Sequence, residues 1–274
     1  MRKCAALRIV STAFAVVAAG VPRSPAAANG ELARPFIPSI SMDHDGRTDP
    51  SEYARREGVG GSLLRERLGA SGIVRCGGAI GTAQLTLRAD VVTTAAHVLI
   101  GPDGKARGGT CTFETSIGGS AGPIAIDSRS IRAGSAKPLS EPAARDWAVA
   151  RLVAPVAGAT PYGLAAPHVP GAVTMYAGGH GRADGMAVER CRARHFIGAS
   201  PQGIREIAID CSAAPGASGA ALLDSSHHVF AIYVGYRSAN PDQAQAFSTT
   251  HYNFAISLDG PFRRALLSAA GTRR

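Results

Sequence analysis

Turn signals interrupt the apolar segments of this chain so often that only a few architectures remain open to it. From residue 72 onward, short apolar or alternating stretches recur between glycine, proline and polar clusters, at 72–80, 84–94, 110–115, 124–131 and 147–153, and again at 173–177, 188–197, 206–211, 220–223, 229–236 and 252–258. Each reads as a strand, and about eleven short strands imply barrels or sandwiches. The 33 glycines and 17 prolines supply the turns and leave little room for long helices. Pro261 and the helix-favouring residues after it predict one short terminal helix. Residues 155–171 are the expected connector between two halves of similar size, so the working architecture is all-β, with two barrels joined there.

The first residues read as an export address. Arg2, Lys3 and Arg8 make a basic start, residues 9–19 an apolar run, and Ala26, Ala27 and Ala28 a small-residue cleavage site. A signal peptide over 1–28 is expected, and the protein is expected to be secreted or periplasmic. The apolar run is too short for a membrane span, which needs about 20 apolar residues, so no stable membrane association is expected. Losing Arg2, Lys3, Arg8 and Arg23, with no acidic residue, takes the formal net charge from +9 to +5. The arginines are scattered and form no run, so nucleic acid is not an expected partner. Residues 29–70 hold several prolines and glycines and one short possible helix near 51–57; they read as a pro-segment or surface extension before a domain over 71–274.

Cys4 leaves with the leader, and four cysteines remain: Cys76, Cys111, Cys191 and Cys211. An even number in an oxidising compartment suggests two bridges in one of three connectivities, with Cys76–Cys111 and Cys191–Cys211 favoured. No CxxC or HxxxH spacing occurs, so neither a metal nor any other cofactor is expected. The Asp43-His44-Asp45-Gly46 cluster places its glycine too early for a calcium loop and reads as a solvated turn.

Three segments carry residues suited to nucleophilic catalysis. An apolar strand runs through Thr93, Thr94, Ala95 and Ala96 into His97, a side chain whose ordinary pKa suits a general base. Asp146 directly precedes the alternating stretch Trp147-Ala148-Val149 and could hold the imidazole in one tautomer. Ser218 lies between Gly216-Ala217 and Gly219, glycines that permit unusual backbone angles and let the Gly216 and Ser218 amides face one point.

The TAAH, DWAV and GASG blocks, in that order, resemble the three signature blocks of trypsin-like serine peptidases, over about residues 70 to 260. The resemblance implies two six-stranded antiparallel β-barrels, about 71–154 and 171–260, with the active site between them. It implies Ser218 as nucleophile, His97 as general base and then acid, Asp146 as its orienting partner, the Gly216 and Ser218 amides as oxyanion hole, and a polypeptide as substrate. The chain departs from animal members in two ways. Val98 stands where a bridging cysteine usually follows the histidine, so Cys76 must reach Cys111 instead. Ala217 replaces the aspartate that binds a newly cut N-terminus, which brings the chain closer to bacterial secreted glutamyl-endopeptidase-like members. Ser212 falls at the base of the family's specificity pocket and carries no charge for Lys or Arg; Tyr233 falls where glutamate-selective members use histidine.

His227 and His228 are expected on an exposed hairpin turn, and the remaining histidines, His44, His168, His180, His195 and His251, as structural or solvated. Ser218, Asp242 and His251 follow the order of an α/β-hydrolase, but the second glycine of GxSxG is missing and no βαβ alternation is visible. The non-enzymatic alternative is a secreted pseudo-peptidase that keeps the fold as a binding module. Oligomeric state is not legible.

Overall fold

The structure, a computed structural model, describes residues 40–117, 122–166, 171–179, 185–241 and 243–271. The expected leader with Cys4, the first part of the extension, His168, His180 and Asp242 lie outside the described residues.

Twelve strands close into two six-stranded antiparallel barrels. The first contains β1 (Ser71–Cys76), β2 (Ala79–Leu85), β3 (Val91–Thr94), β4 (Thr112–Thr115), β5 (Ile124–Ala133) and β6 (Ala148–Leu152), hydrogen-bonded in the order β1-β2-β3-β6-β5-β4. The second contains β7 (Gly171–Gly178), β8 (Met186–Ala199), β9 (Arg205–Ile209), β10 (Ala221–Leu223), β11 (Val229–Ser238) and β12 (His251–Ser257), in the order β10-β11-β12-β9-β8-β7. Closure leaves neither sheet with a free edge.

Two stretches that read as single strands are each divided. Residues 72–80 break at Gly77 and Gly78, which take φ of +54° and +79° and turn β1 back on β2. Residues 84–94 break where Leu87 adopts φ +65° between β2 and β3. An apolar run therefore hid two hairpins, because residues on both sides of each turn face the same interior.

Each barrel has an apolar filling. Val74, Leu85, Val92, Phe113 and Val149 are fully buried in the first, and Met175, Ile209, Leu222 and Ala255 are at most 1% exposed in the second. The connector is tied to both barrels: Tyr162 exchanges backbone hydrogen bonds with Leu85 and Leu87, and Gly163 and Ala165 pair with Val229.

The expected terminal helix is α4 (Gly260–Ala270), which packs across β6 and β3 of the first barrel and stacks Phe262 on Trp147 with ring centroids 5.0 Å apart. The extension holds two more helices, α1 (Pro50–Glu57) and α2 (Gly61–Leu68). Asp49 caps α1 by accepting from the Ser51 and Glu52 amides, and Gly58 ends it with φ +64°. The second helix was not expected, since Gly60 and Gly61 open it; it forms because Leu64 and Leu68 bury against the barrel core. Ahead of these helices, residues 40–48 run as a strap over the second barrel, with Asp43 donating to Gln245 O and Thr48 exchanging hydrogen bonds with Val188.

Candidate active site

His97 is presented by a single helical turn, α3 (Ala96–Leu99), that follows β3 directly. Ala95 and Ala96 are fully buried, so only small side chains fit where the chain leaves the barrel wall. Asp146 ends a 3-10 turn, Ala143–Arg145, just before β6. Because β3 and β6 pair with Thr94 opposite Ala148, the two ends meet at one rim. The Asp146 carboxylate accepts the His97 amide through Oδ1 at 2.9 Å and lies 2.6 Å from His97 Nδ1 through Oδ2. Both side chains are enclosed, at 4% and 6% exposure. A carboxylate only accepts, so the proton is on Nδ1 and the Nε2 lone pair is free. Nε2 is itself buried and has no hydrogen-bond partner among the described residues. Arg107, from the loop after α3, donates to His97 O at 2.8 and 3.2 Å and fixes the turn from outside.

Ser218 lies on the loop between β9 and β10 and is half-buried. Its hydroxyl does not close a hydrogen bond to His97 Nε2, so the structure joins His97 to Asp146 directly and leaves Ser218 unbonded to the pair. The loop is nevertheless anchored to the same rim. Ser218 O accepts from Thr82 N at 2.8 Å, and Gly219 packs so closely that a Cβ there would lie 2.2 Å from Thr94 Oγ1 and 2.3 Å from Thr82 O. Gly219 also takes φ +89°, so glycine is required there on both counts.

The amides along this loop alternate in use. Ala217 N donates to Ala214 O and Gly219 N to Tyr233 O, whereas the amides of Gly216 and Ser218 meet no protein acceptor among the described residues. Two donors without a protein acceptor among the described residues thus lie two residues apart, on a backbone whose Gly216 takes φ +106°.

The two residues expected at the specificity pocket are enclosed. Ser212 is fully buried, its hydroxyl accepting from Met42 N at 3.1 Å and its amide donating to Glu189 Oε2 at 2.7 Å. Tyr233 is 2% exposed; its hydroxyl donates to Asn253 Oδ1 at 3.1 Å, and burial raises its pKa. Asn253 in turn donates to Ile40 O and Cys211 O. The strap therefore backs Ser212 and Asn253, an arrangement the sequence did not announce.

Glu189 was also missed. It is 3% exposed, accepts from Ser212 N and Gly46 N, and burial pushes its carboxyl up to about 8 despite those two bonds. Its position inside β8, beside Cys191, offered no pattern to mark it.

Disulfides join Cys76 to Cys111 and Cys191 to Cys211. The first ties β1 to the end of the loop that carries Arg107; the second ties β8 to the segment leading to Ser218. His227 and His228 stand on the β10–β11 turn, where His227 takes φ +58°. Among the described residues no three His, Cys, Asp or Glu side chains converge on a metal position, and no helix is long and apolar enough to cross a membrane.

Residues 71–232 match the family model of the trypsin-like peptidase domain. No curated protein matches the sequence. Among solved structures, a Glu endopeptidase in complex with MPD superposes with a TM-score of 0.62 at 12% identity, covering 85% of this chain and 100% of that one. The active form of the Rv3671c protease from M. tuberculosis gives 0.53 at 17% identity, covering 94% and 96%. The HtrA-type protease AlgW with tripeptide gives 0.51 at 16%, covering 76% and 61%. At these identities the likeness establishes the fold.

Proposed function

The chain belongs to the trypsin-like peptidase family, and on that footing we propose that it is a secreted serine endopeptidase acting through an acyl-enzyme on Ser218. The observation that carries this reading is the pairing of His97 with Asp146, which leaves Nε2 free on a rim shared with the unpaired Gly216 and Ser218 amides.

In the proposed cycle, substrate binding draws the Ser218 hydroxyl to Nε2, a contact that is often open in free enzymes. Nε2 takes the hydroxyl proton as Oγ bonds to the scissile carbonyl carbon, and the carbonyl oxygen becomes an oxyanion held by the two amides. Asp146 stabilises the imidazolium. Nε2–H then protonates the leaving amine as the C–N bond breaks, giving the acyl-enzyme. A water, deprotonated by Nε2, attacks the ester, and the proton returns to Oγ on release of the acid. His97 supplies the proton transfers and the amides the charge stabilisation, so the cycle calls on no cofactor.

Export fits the basic, apolar and small-residue order of residues 1–28 and the two disulfides. We assign residues 40–70 to the mature domain as an N-terminal extension, because Ile40 and Leu68 are fully buried and the strap holds Ser212. The uncharged, enclosed Ser212 argues against a Lys or Arg preference.

The pseudo-peptidase reading has one observation on its side, the open contact between Ser218 and His97. A fluorophosphonate probe separates the two. Labelling of the wild type and its loss in Ser218→Ala is the expected result, and no labelling of correctly folded mature protein would refute the enzyme. A peptide-library digest with the wild type would then read the residue preference.

A further inference from the structure

We infer that Thr82, on β2, is a positioning residue for the oxyanion site, acting from the first barrel on a loop of the second. This rests on the reading of Ser218 as nucleophile and goes beyond it. The two unpaired amides belong to the peptide units 215–216 and 217–218. The units interleaved with them, 216–217 and 218–219, are each held at both ends, and Thr82 supplies one end of each. In unit 216–217, Gly216 O accepts from Thr82 Oγ1 at 2.7 Å while Ala217 N donates to Ala214 O at 2.9 Å. In unit 218–219, Ser218 O accepts from Thr82 N at 2.8 Å while Gly219 N donates to Tyr233 O at 2.8 Å. These four bonds fix the two peptide units that flank the Ser218 amide and the unit that follows the Gly216 amide.

The hydroxyl is fully used. As it donates to Gly216 O, it accepts from Gly178 N at 2.9 Å, so its proton is committed to the loop. Thr82 O accepts from Thr94 Oγ1 at 2.7 Å, three residues before His97, which ties the nucleophile loop and the histidine turn to the same side chain environment. Thr82 is fully buried and makes no bond to His97 Nε2, so it acts through the backbone it holds.

The test compares Thr82→Val, which keeps the size and the backbone amide but deletes the hydroxyl, with Thr82→Ser, which restores it. Ser71→Ala serves as a structural control: Ser71 is a buried hydroxyl of the first barrel that bonds Tyr162 OH, away from the loop. Steady-state peptide hydrolysis, fluorophosphonate labelling rate and Tm are measured for all four proteins. Thr82→Val is expected to lose on the order of 10–100-fold in kcat and in labelling rate, with KM little changed, as for a misplaced catalytic group. Thr82→Ser should recover most of this, and Ser71→Ala should lower Tm while leaving kcat intact. A Thr82→Val protein as active as wild type overturns the inference alone, as does a Ser71→Ala protein that loses kcat in step with Tm. A wild type that neither labels nor cleaves overturns the nucleophile reading, and this inference falls with it.

Discussion

Replacing Glu189 with glutamine removes a buried titration whose size can be worked from its surroundings. Both carboxyl oxygens face N–H donors, Gly46 N on Oε1 and Ser212 N on Oε2, which favours the charged form. Burial opposes it and prevails, so the carboxyl titrates at about 8 rather than 4.5. Asp45 reinforces the rise and Arg47 resists it. The folded state therefore holds a proton that the unfolded state has released between those limits. The stabilisation is complete below about pH 4.5 and is lost as pH rises toward about 8, with a slope of at most about 1.4 kcal/mol per pH unit and a ceiling of about 5 kcal/mol in all. Glutamine cannot accept from both donors, because its amide nitrogen faces one of them, so Glu189→Gln should be about 1–3 kcal/mol less stable than the parent at low pH. Its own stability should then lack this slope, and the two curves should approach or cross as pH rises. Urea unfolding at about pH 5, 6, 7 and 8, in a Ser218→Ala background that prevents self-digestion, reads the difference curve. Asp90 and Asp127, whose carboxyls are held low by arginine and backbone partners, act in the opposite sense and only in more acidic solution. Parallel profiles for parent and variant, or a gap that widens with pH, would refute the reasoning.

Two further perturbations test the frame around the site. Removing the Cys76–Cys111 bridge by double serine substitution frees a loop closed over 35 residues, which should cost about 4 kcal/mol and roughly 10 °C in Tm by thermal unfolding; because that loop carries Arg107, labelling at Ser218 should slow as well, and a variant with unchanged Tm would contradict the estimate. Truncating Phe262 to alanine, which empties a fully buried site stacked on Trp147, should destabilise by about 3–5 kcal/mol in denaturant unfolding, and a change below about 1 kcal/mol would show that α4 is not integral to the first barrel.

The sequence made the strands readable because most are short, nearly continuous buried runs between turn residues, as in β3, β7 and β10, and it marked His97, Asp146 and Ser218 as candidates by the local patterns in which they sit. Where it fell short, the cause is contact between distant segments. Thr82 looks like any strand threonine; its meaning depends on Gly216 and Ser218, more than 130 positions away. Ser212 was singled out only by a family resemblance, and nothing local showed that Met42 would bond its hydroxyl or that Glu189 would take its amide. The divided strands at Gly77 and Leu87 were concealed for the opposite reason, since an uninterrupted apolar pattern continues through a tight turn when both arms face one core.

The helix α4 also bears on the order in which the rim around Asp146 is completed. Trp147 follows Asp146 directly, and its ring is covered by Phe262, more than a hundred positions later in the chain. Chains emerge and fold from their N-terminal side, so a first barrel formed early would still expose Trp147 beside the acid that orients His97. The rim that holds Asp146 is thus finished only after the strands of the second barrel have been made. A chain cut short before α4 would retain all three proposed catalytic residues and lack the cover over the strand that follows Asp146.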